Sequence, residues 1–111
     1  MKNKAKATIE KFLQAWKDYD ITKMYDLSQQ TWNSQYSKKV FKGFFQSRIK
    51  AFTITEIRES TPTVFDVDIT IRVKGQQRKI TARLICETAP YTPSVDGEFG
   101  VNPISVIKNL Y

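Results

Sequence analysis

The spacing of apolar residues changes near residue 50, and that change limits the possible folds more than any other feature. Before it, apolar side chains recur every three or four residues, as on a helix with one buried stripe; after it they recur every second residue, as on a strand. Residues 5–19 put Ile9, Phe12, Leu13 and Trp16 on one stripe and predict the first helix. Asp20 is placed to cap a second helix over 21–29, because its carboxylate can accept from the free amides of the next turn, with Ile21, Met24 and Leu27 facing inward. The run Thr31-Trp32-Asn33-Ser34 is expected to break that helix. Ser37 then caps a third helix carrying Val40, Phe41, Phe44, Phe45 and Ile49. Gly43 inside it costs about 1 kcal/mol against alanine, which predicts close packing at that point.

From Ala51 onward, Phe52, Ile54 and Ile57 mark a strand whose alternation slips near Glu56, the pattern of a β-bulge. After a turn at Ser60-Thr61-Pro62, Phe65, Val67, Ile69, Ile71 and Val73 face one way, and Asp66, Asp68, Thr70 and Arg72 face the other. Gly75-Gln76 suits a two-residue turn of type II′. That turn sets Ile71 opposite Ile80, Ile69 opposite Ala82 and Val67 opposite Leu84, while Asp68 meets Arg83 and Thr70 meets Thr81 on the other face. Residues 89–97, with Pro90, Pro93 and Gly97, read as a long loop. A last strand is expected from near Glu98 toward the C-terminus, with Pro103 requiring an edge position or a bulge. Helices over about 5–49 followed by an antiparallel meander over about 51–111 make an α+β plan in one domain spanning 1–111.

Composition excludes several classes of function. The 111 residues include one cysteine, Cys86, and no histidine, so there is no internal disulfide framework, no Cys/His zinc set and no histidine-based hydrolase. No metal or cofactor is predicted. Cys86 alternates with the apolar face of its strand and reads as a small buried hydrophobe. The net charge of +7 lies wholly in the first half: residues 1–50 hold eleven lysines and arginines against four acids, and residues 51–111 hold seven of each. A basic half can attract nucleic acid. The excess is mostly lysine, without arginine clusters or an aromatic stacking motif, so a solvated helix face is favoured and nucleic-acid binding is the lesser reading. No apolar run is long enough to cross a bilayer, and no hydrophobic stretch follows the lysine-rich residues 1–7; the default expectation is a cytoplasmic chain, although an exported domain trimmed of its leader would read the same.

The opening pattern Ile9-x-x-Phe12-Leu13-x-Ala15-Trp16, the helix Asp20-x-x-x-Met24-x-x-Leu27, Trp32, and Phe41-x-x-Phe44-Phe45 leading into Phe52-x-Ile54 together resemble the nuclear transport factor 2-like superfamily. The resemblance spans nearly the whole chain and implies a cystatin-like cone, with N-terminal helices packed on a curved antiparallel sheet. It further implies a pocket between helices and sheet, and a dimer made through the sheet. Enzymes of that superfamily commonly use an Asp, Tyr or His inside the pocket.

Two sets of residues are therefore candidates. Tyr25, Trp32, Tyr36 and Glu56 would line a pocket for a small apolar ligand, with Glu56 turned inward if the alternation from Phe52 and Ile54 continues. Asp66, Asp68, Arg72 and Arg83 lie on the other strand face. The two aspartates are either an acid/base or metal pair or part of a charge-matched interface, and the expected Arg83 partner favours the interface. The leading functional expectation is a non-enzymatic binding or assembly module that forms a homodimer or meets a protein partner. The alternative is a small isomerase- or cyclase-like enzyme using Glu56 or a pocket tyrosine.

Overall fold

A computed structural model describes residues 1–108 and 110. Four helices come first: α1 (Lys2–Asp18), α2 (Ile21–Asp26), α3 (Gln30–Gln35) and α4 (Lys38–Phe44). The strands β1 (Ala51–Thr61), β2 (Val64–Val73), β3 (Gln76–Ala89), β4 (Thr92–Pro93) and β5 (Glu98–Val101) follow, and α5 (Pro103–Ile107) closes the chain. The sheet is antiparallel, ordered β1-β2-β3, with β4 and β5 both pairing β3. The helices lie on its concave side, giving an α+β cone. Among the described residues, no helix is long and apolar enough to cross a membrane.

Helix α1 buries Ile9, Phe12, Leu13 and Trp16 as its stripe requires, and ends at Tyr19 in the left-handed region, φ 54°. The Asp20 carboxylate accepts from the Lys23 amide at 3.1 Å and starts α2. The Ser37 hydroxyl accepts from the Val40 amide and starts α4. Three helical expectations are corrected. Residues 31–34 do not simply interrupt the chain; they belong to α3, which buries Trp32. The third predicted helix stops at Phe44, because the Trp16 indole N–H and the Tyr19 hydroxyl donate to the Ser47 and Phe45 carbonyls, at 2.8 and 2.7 Å, and pull residues 45–47 across α1. Gly43 is exposed, with no neighbour within 4 Å of where a Cβ would stand, so nothing packs closely there.

In the sheet the faces match the alternation, but the hairpin register differs by two residues. The turn is Lys74-Gly75, with φ of 51° and 74°, which closes Val73 against Gln76 as a type I′ turn. Ile69 therefore meets Ile80, Val67 meets Ala82, and Arg83 meets Asp66 rather than Asp68. A shift of two keeps every side chain on its own face, whereas a shift of one would have exposed the core. The bulge in β1 falls between Ile54 and Glu56. The stretch taken as a loop contains the short β4, and the expected C-terminal strand ends at Val101. There the Asn102 side chain accepts from the Ile104 and Ser105 amides, with Pro103 in the first turn, and α5 begins.

Between the layers, Phe41 stacks on Phe45 at 4.6 Å and Trp16 meets Phe45 edge-on at 5.3 Å. With Phe12, Ile49, Ile69 and Ile71 these rings fill the concave space, each at most 2% exposed. At the mouth, Gly100 lets β5 approach the chain after α2; a methyl there would lie 2.5 Å from the Gln29 Cα. Gly100→Ala is expected to lose about 3 kcal/mol by overpacking, whereas Gly43→Ala should gain about 0.5–1 kcal/mol of helix propensity; thermal or denaturant melts of the two variants check both signs.

Candidate functional site

The convex face of the sheet carries a connected set of charges. The bulge after Ile54 brings Glu56 and Arg58 onto this face, opposite Asp68 and Asp66 in the ladder. Arg58 holds the Asp68 carboxylate with two nitrogens, one at 3.0 Å and the other closer, and holds Glu56 at 3.1 Å. The Thr81 hydroxyl donates to the same Asp68 at 2.8 Å. One residue pair along, Arg83 grips Asp66 in a fork of 2.9 and 3.1 Å. The Arg83 amide donates to Ser105 Oγ at 2.8 Å, and the Asn102 amide donates to the Arg83 carbonyl at 2.8 Å, so α5 is stitched beside this pair.

An open cleft of about 370 Å³ lies between the Asp66–Arg83 pair and α5, where Asn102, Ser105 and Lys108 form its far wall. A second, of about 430 Å³, lies over Thr55, Asp68, Thr70, Lys79 and Thr81. The Arg83 guanidinium holds the Asp66 carboxyl below its usual range, and Arg58 with Thr81 does the same for Asp68. The side chains of Arg58 and Arg83 are 44% and 49% exposed, so solvent screens each ion pair and it adds little to stability. Their main effect is to hold five charged groups in one fixed geometry on rigid strands.

Of the residues expected at an interface, Asp66, Asp68 and Arg83 belong to this network. Arg72 shares the face but sits at its far end, between Ala51 and Gln77, and takes no part in the ion pairs found among the described residues. Glu56 is the clear correction. The bulge reverses the alternation, so Glu56 is turned out of the cone, its side chain 61% exposed and paired with Arg58.

Tyr25, Trp32 and Tyr36 do come together, but with one another. Trp32 and Tyr36 lie 4.8 Å apart, Trp32 and Phe41 5.8 Å, and Tyr25 and Phe41 5.7 Å. The Tyr25 hydroxyl donates to the Tyr36 carbonyl at 2.6 Å, which fastens α2 to the end of α3. Trp32 is buried in this cluster and Tyr36 is 44% exposed.

The residue missed in the sequence is Glu87. It is 2% exposed, and its carboxylate accepts from the Thr31 amide at 3.2 Å, from the Thr31 hydroxyl and from Gln29 Nε2 at 3.3 Å. Its carbonyl accepts from Gln30 Nε2 at 2.9 Å. A strand carboxylate thus supplies acceptors to the first turn of α3, whose own cap residue Gln29 makes no side-chain cap hydrogen bond. Strict alternation puts Cys86 inward and Glu87 outward, so only knowledge of where α3 lies could have found it. Cys86 is buried as expected, and burial pushes its thiol up.

This architecture defines the class: a nuclear transport factor 2-like α+β cone with a packed interior and a charged convex face. A family model described as the NTF2-like N-terminal transpeptidase domain matches residues 4–76, from α1 through the β2–β3 turn, and the chain belongs to that family. No curated protein matches the chain.

Because the Asp66 and Asp68 carboxyls titrate lower folded than unfolded, both add stability above about pH 4 and lose it as the pH falls through their folded values. Asp66→Asn combined with Asp68→Asn should flatten the acid limb of a stability–pH curve measured by urea melts between pH 2 and 6. Glu87→Ala strips acceptors from buried donors, so a loss on the order of 2–3 kcal/mol is expected in the same assay at neutral pH.

Proposed function

We propose that this domain is a non-enzymatic docking module that meets a protein partner through the convex face of its sheet. The observation that carries the reading is the fixed arrangement of Glu56, Arg58 and Asp68 beside the Asp66–Arg83 pair. Charges held this way add little to folding, but they lose little freedom on binding and oppose partners of mismatched charge. The filled cone favours a surface role over the alternative of a pocket enzyme: Glu56 faces outward, and the oxygens of the buried Glu87 are taken up by Thr31 and Gln29. The matched family is named for an N-terminal domain of transpeptidases. From that name we carry over only the idea of a unit that stands beside another protein unit.

The test is site-specific photo-crosslinking in cells that produce the protein. A crosslinker at Thr53 or Lys79, on the convex face, should give protein adducts at roughly ten times the yield of one at Lys11 on the exposed side of α1, and Arg83→Glu should reduce them. Equal yields at the three positions would refute the reading.

A further inference from the structure

Strand β1 is the free edge of the sheet. It is eleven residues long and, among the described residues, pairs only with β2. An antiparallel edge strand turns the N–H and C=O of alternate residues away from the sheet, ready to pair with another chain. Proteins usually blunt such an edge with proline, an inward lysine, a bulge or a very short strand; residues 51–61 contain neither proline nor lysine, and the irregularities of β1 fall between Ile54 and Glu56 and between Glu59 and Thr61, leaving 56–59 regularly paired between them. Helix α1 reaches this strand but leaves its inner side chains incompletely covered. Phe52, Ile54 and Ile57 are only partly buried, whereas their ladder partners Ile71, Ile69 and Val67 are at most 2% exposed. An apolar strip beside an unpaired backbone calls for a cover.

The charge pattern of the strand specifies what that cover is. A second antiparallel β1 must keep inner residues opposite inner ones, because a one-residue slip would set Glu56 against Ile57. Three such registers place the two-fold axis within the charged middle of the strand. An axis at Glu56 sets two glutamates against each other, and an axis at Arg58 sets two arginines. An axis at Ile57 sets Glu56 opposite the partner's Arg58 twice over on the convex face, and packs Ile57 on its counterpart beneath. The segment Glu56-Ile57-Arg58 is thus complementary to itself. The lysine excess of the chain lies in residues 1–50, outside this strand.

We infer that β1 pairs with β1 of a second copy about a two-fold axis at Ile57, joining two five-stranded sheets into one continuous sheet. The inference rests on the docking-module reading only in taking protein as the partner; it uses the edge of the sheet and shares Glu56 and Arg58 with the convex face. Pairing in this way lays the two convex faces side by side as one larger charged surface.

Sedimentation equilibrium at protein concentrations up to about 1 mM should show a monomer–dimer equilibrium. Glu56→Arg, which replaces two favourable cross-strand pairs with like charges, should weaken it roughly tenfold while the melting curve stays cooperative. Ile57→Cys should form an interchain disulfide under mild oxidation much faster than Thr53→Cys, since facing Cβ atoms at the axis lie about 5 Å apart. A chain that stays monomeric over that range, or a dimer in which Ile57→Cys oxidises no faster than Thr53→Cys, overturns the inference. Convex-face adducts to another protein from a monomeric chain would sink edge pairing and leave the docking reading standing; an Ile57-centred dimer without convex-face adducts would do the reverse.

Discussion

The rest of the structure depends on the two-faced ladder between β2 and β3. Phe65, Val67, Ile69 and Ile71 on one strand, with Ile80, Ala82 and Leu84 on the other, form an apolar floor that is at most 2% exposed. Each fully buried aliphatic or aromatic side chain contributes roughly 1.5–3 kcal/mol, well above the value of any ion pair on the opposite face. The helices are therefore placed by what they cover. The Trp16 indole, the Tyr19 hydroxyl and the Phe45 ring fold the chain after α4 back over α1, so that the connection into β1 forms the roof of the core.

Two short helices start on polar groups tied to β3, α3 at Glu87 across 56 residues of chain and α5 at Arg83, and the direction of the cost explains why. A helix start buried without acceptors loses the hydration of its amides, which costs more than a paired amide gains. For α3 the acceptor is the Glu87 carboxylate, and for α5 it is the side chain of Asn102 just before the helix. Ser105 then reaches back to β3. Both devices sit where a short helix meets the long central strand. The α5 anchor falls on Arg83 itself, so the Asp66–Arg83 pair stands on a strand that is fixed at that residue.

How much of this was legible follows from the range of each interaction. The Asp20 and Ser37 caps, the α1 stripe and the faces of β2 are local patterns, complete within a few residues, and they were readable. The hairpin register was not, because the turn puts Lys74 in a left-handed conformation that disfavours a residue with a Cβ. The ladder accepts that strain because it seats Ile69 against Ile80 and Asp66 against Arg83. Asn102-Pro103 was a local signal for a helix start that the neighbouring alternation of Ile104, Val106 and Ile107 masked. Glu56 and Glu87 failed for one shared reason: the face a carboxylate takes depends on a bulge in its own strand or on a helix arriving from far away in sequence.

That same dependence decides between a pocket and a surface. In a cone of this kind the concave space is either left open for a ligand or filled by the helices' own rings, since packed protein leaves few voids larger than a water molecule. Here Phe12, Phe41 and Phe45 fill it, and Tyr25, Trp32 and Tyr36 pack against one another at its rim. Filling the interior moves the recognisable chemistry outward, onto the strand residues that alternate with the core. The alternation that buries Val67 and Ile69 is what presents Asp66 and Asp68, and the bulge that turns Glu56 out of the cone brings it beside Arg58. Core and charged face are then two readings of one register, and a substitution that shifted the ladder by a single residue would abolish both together.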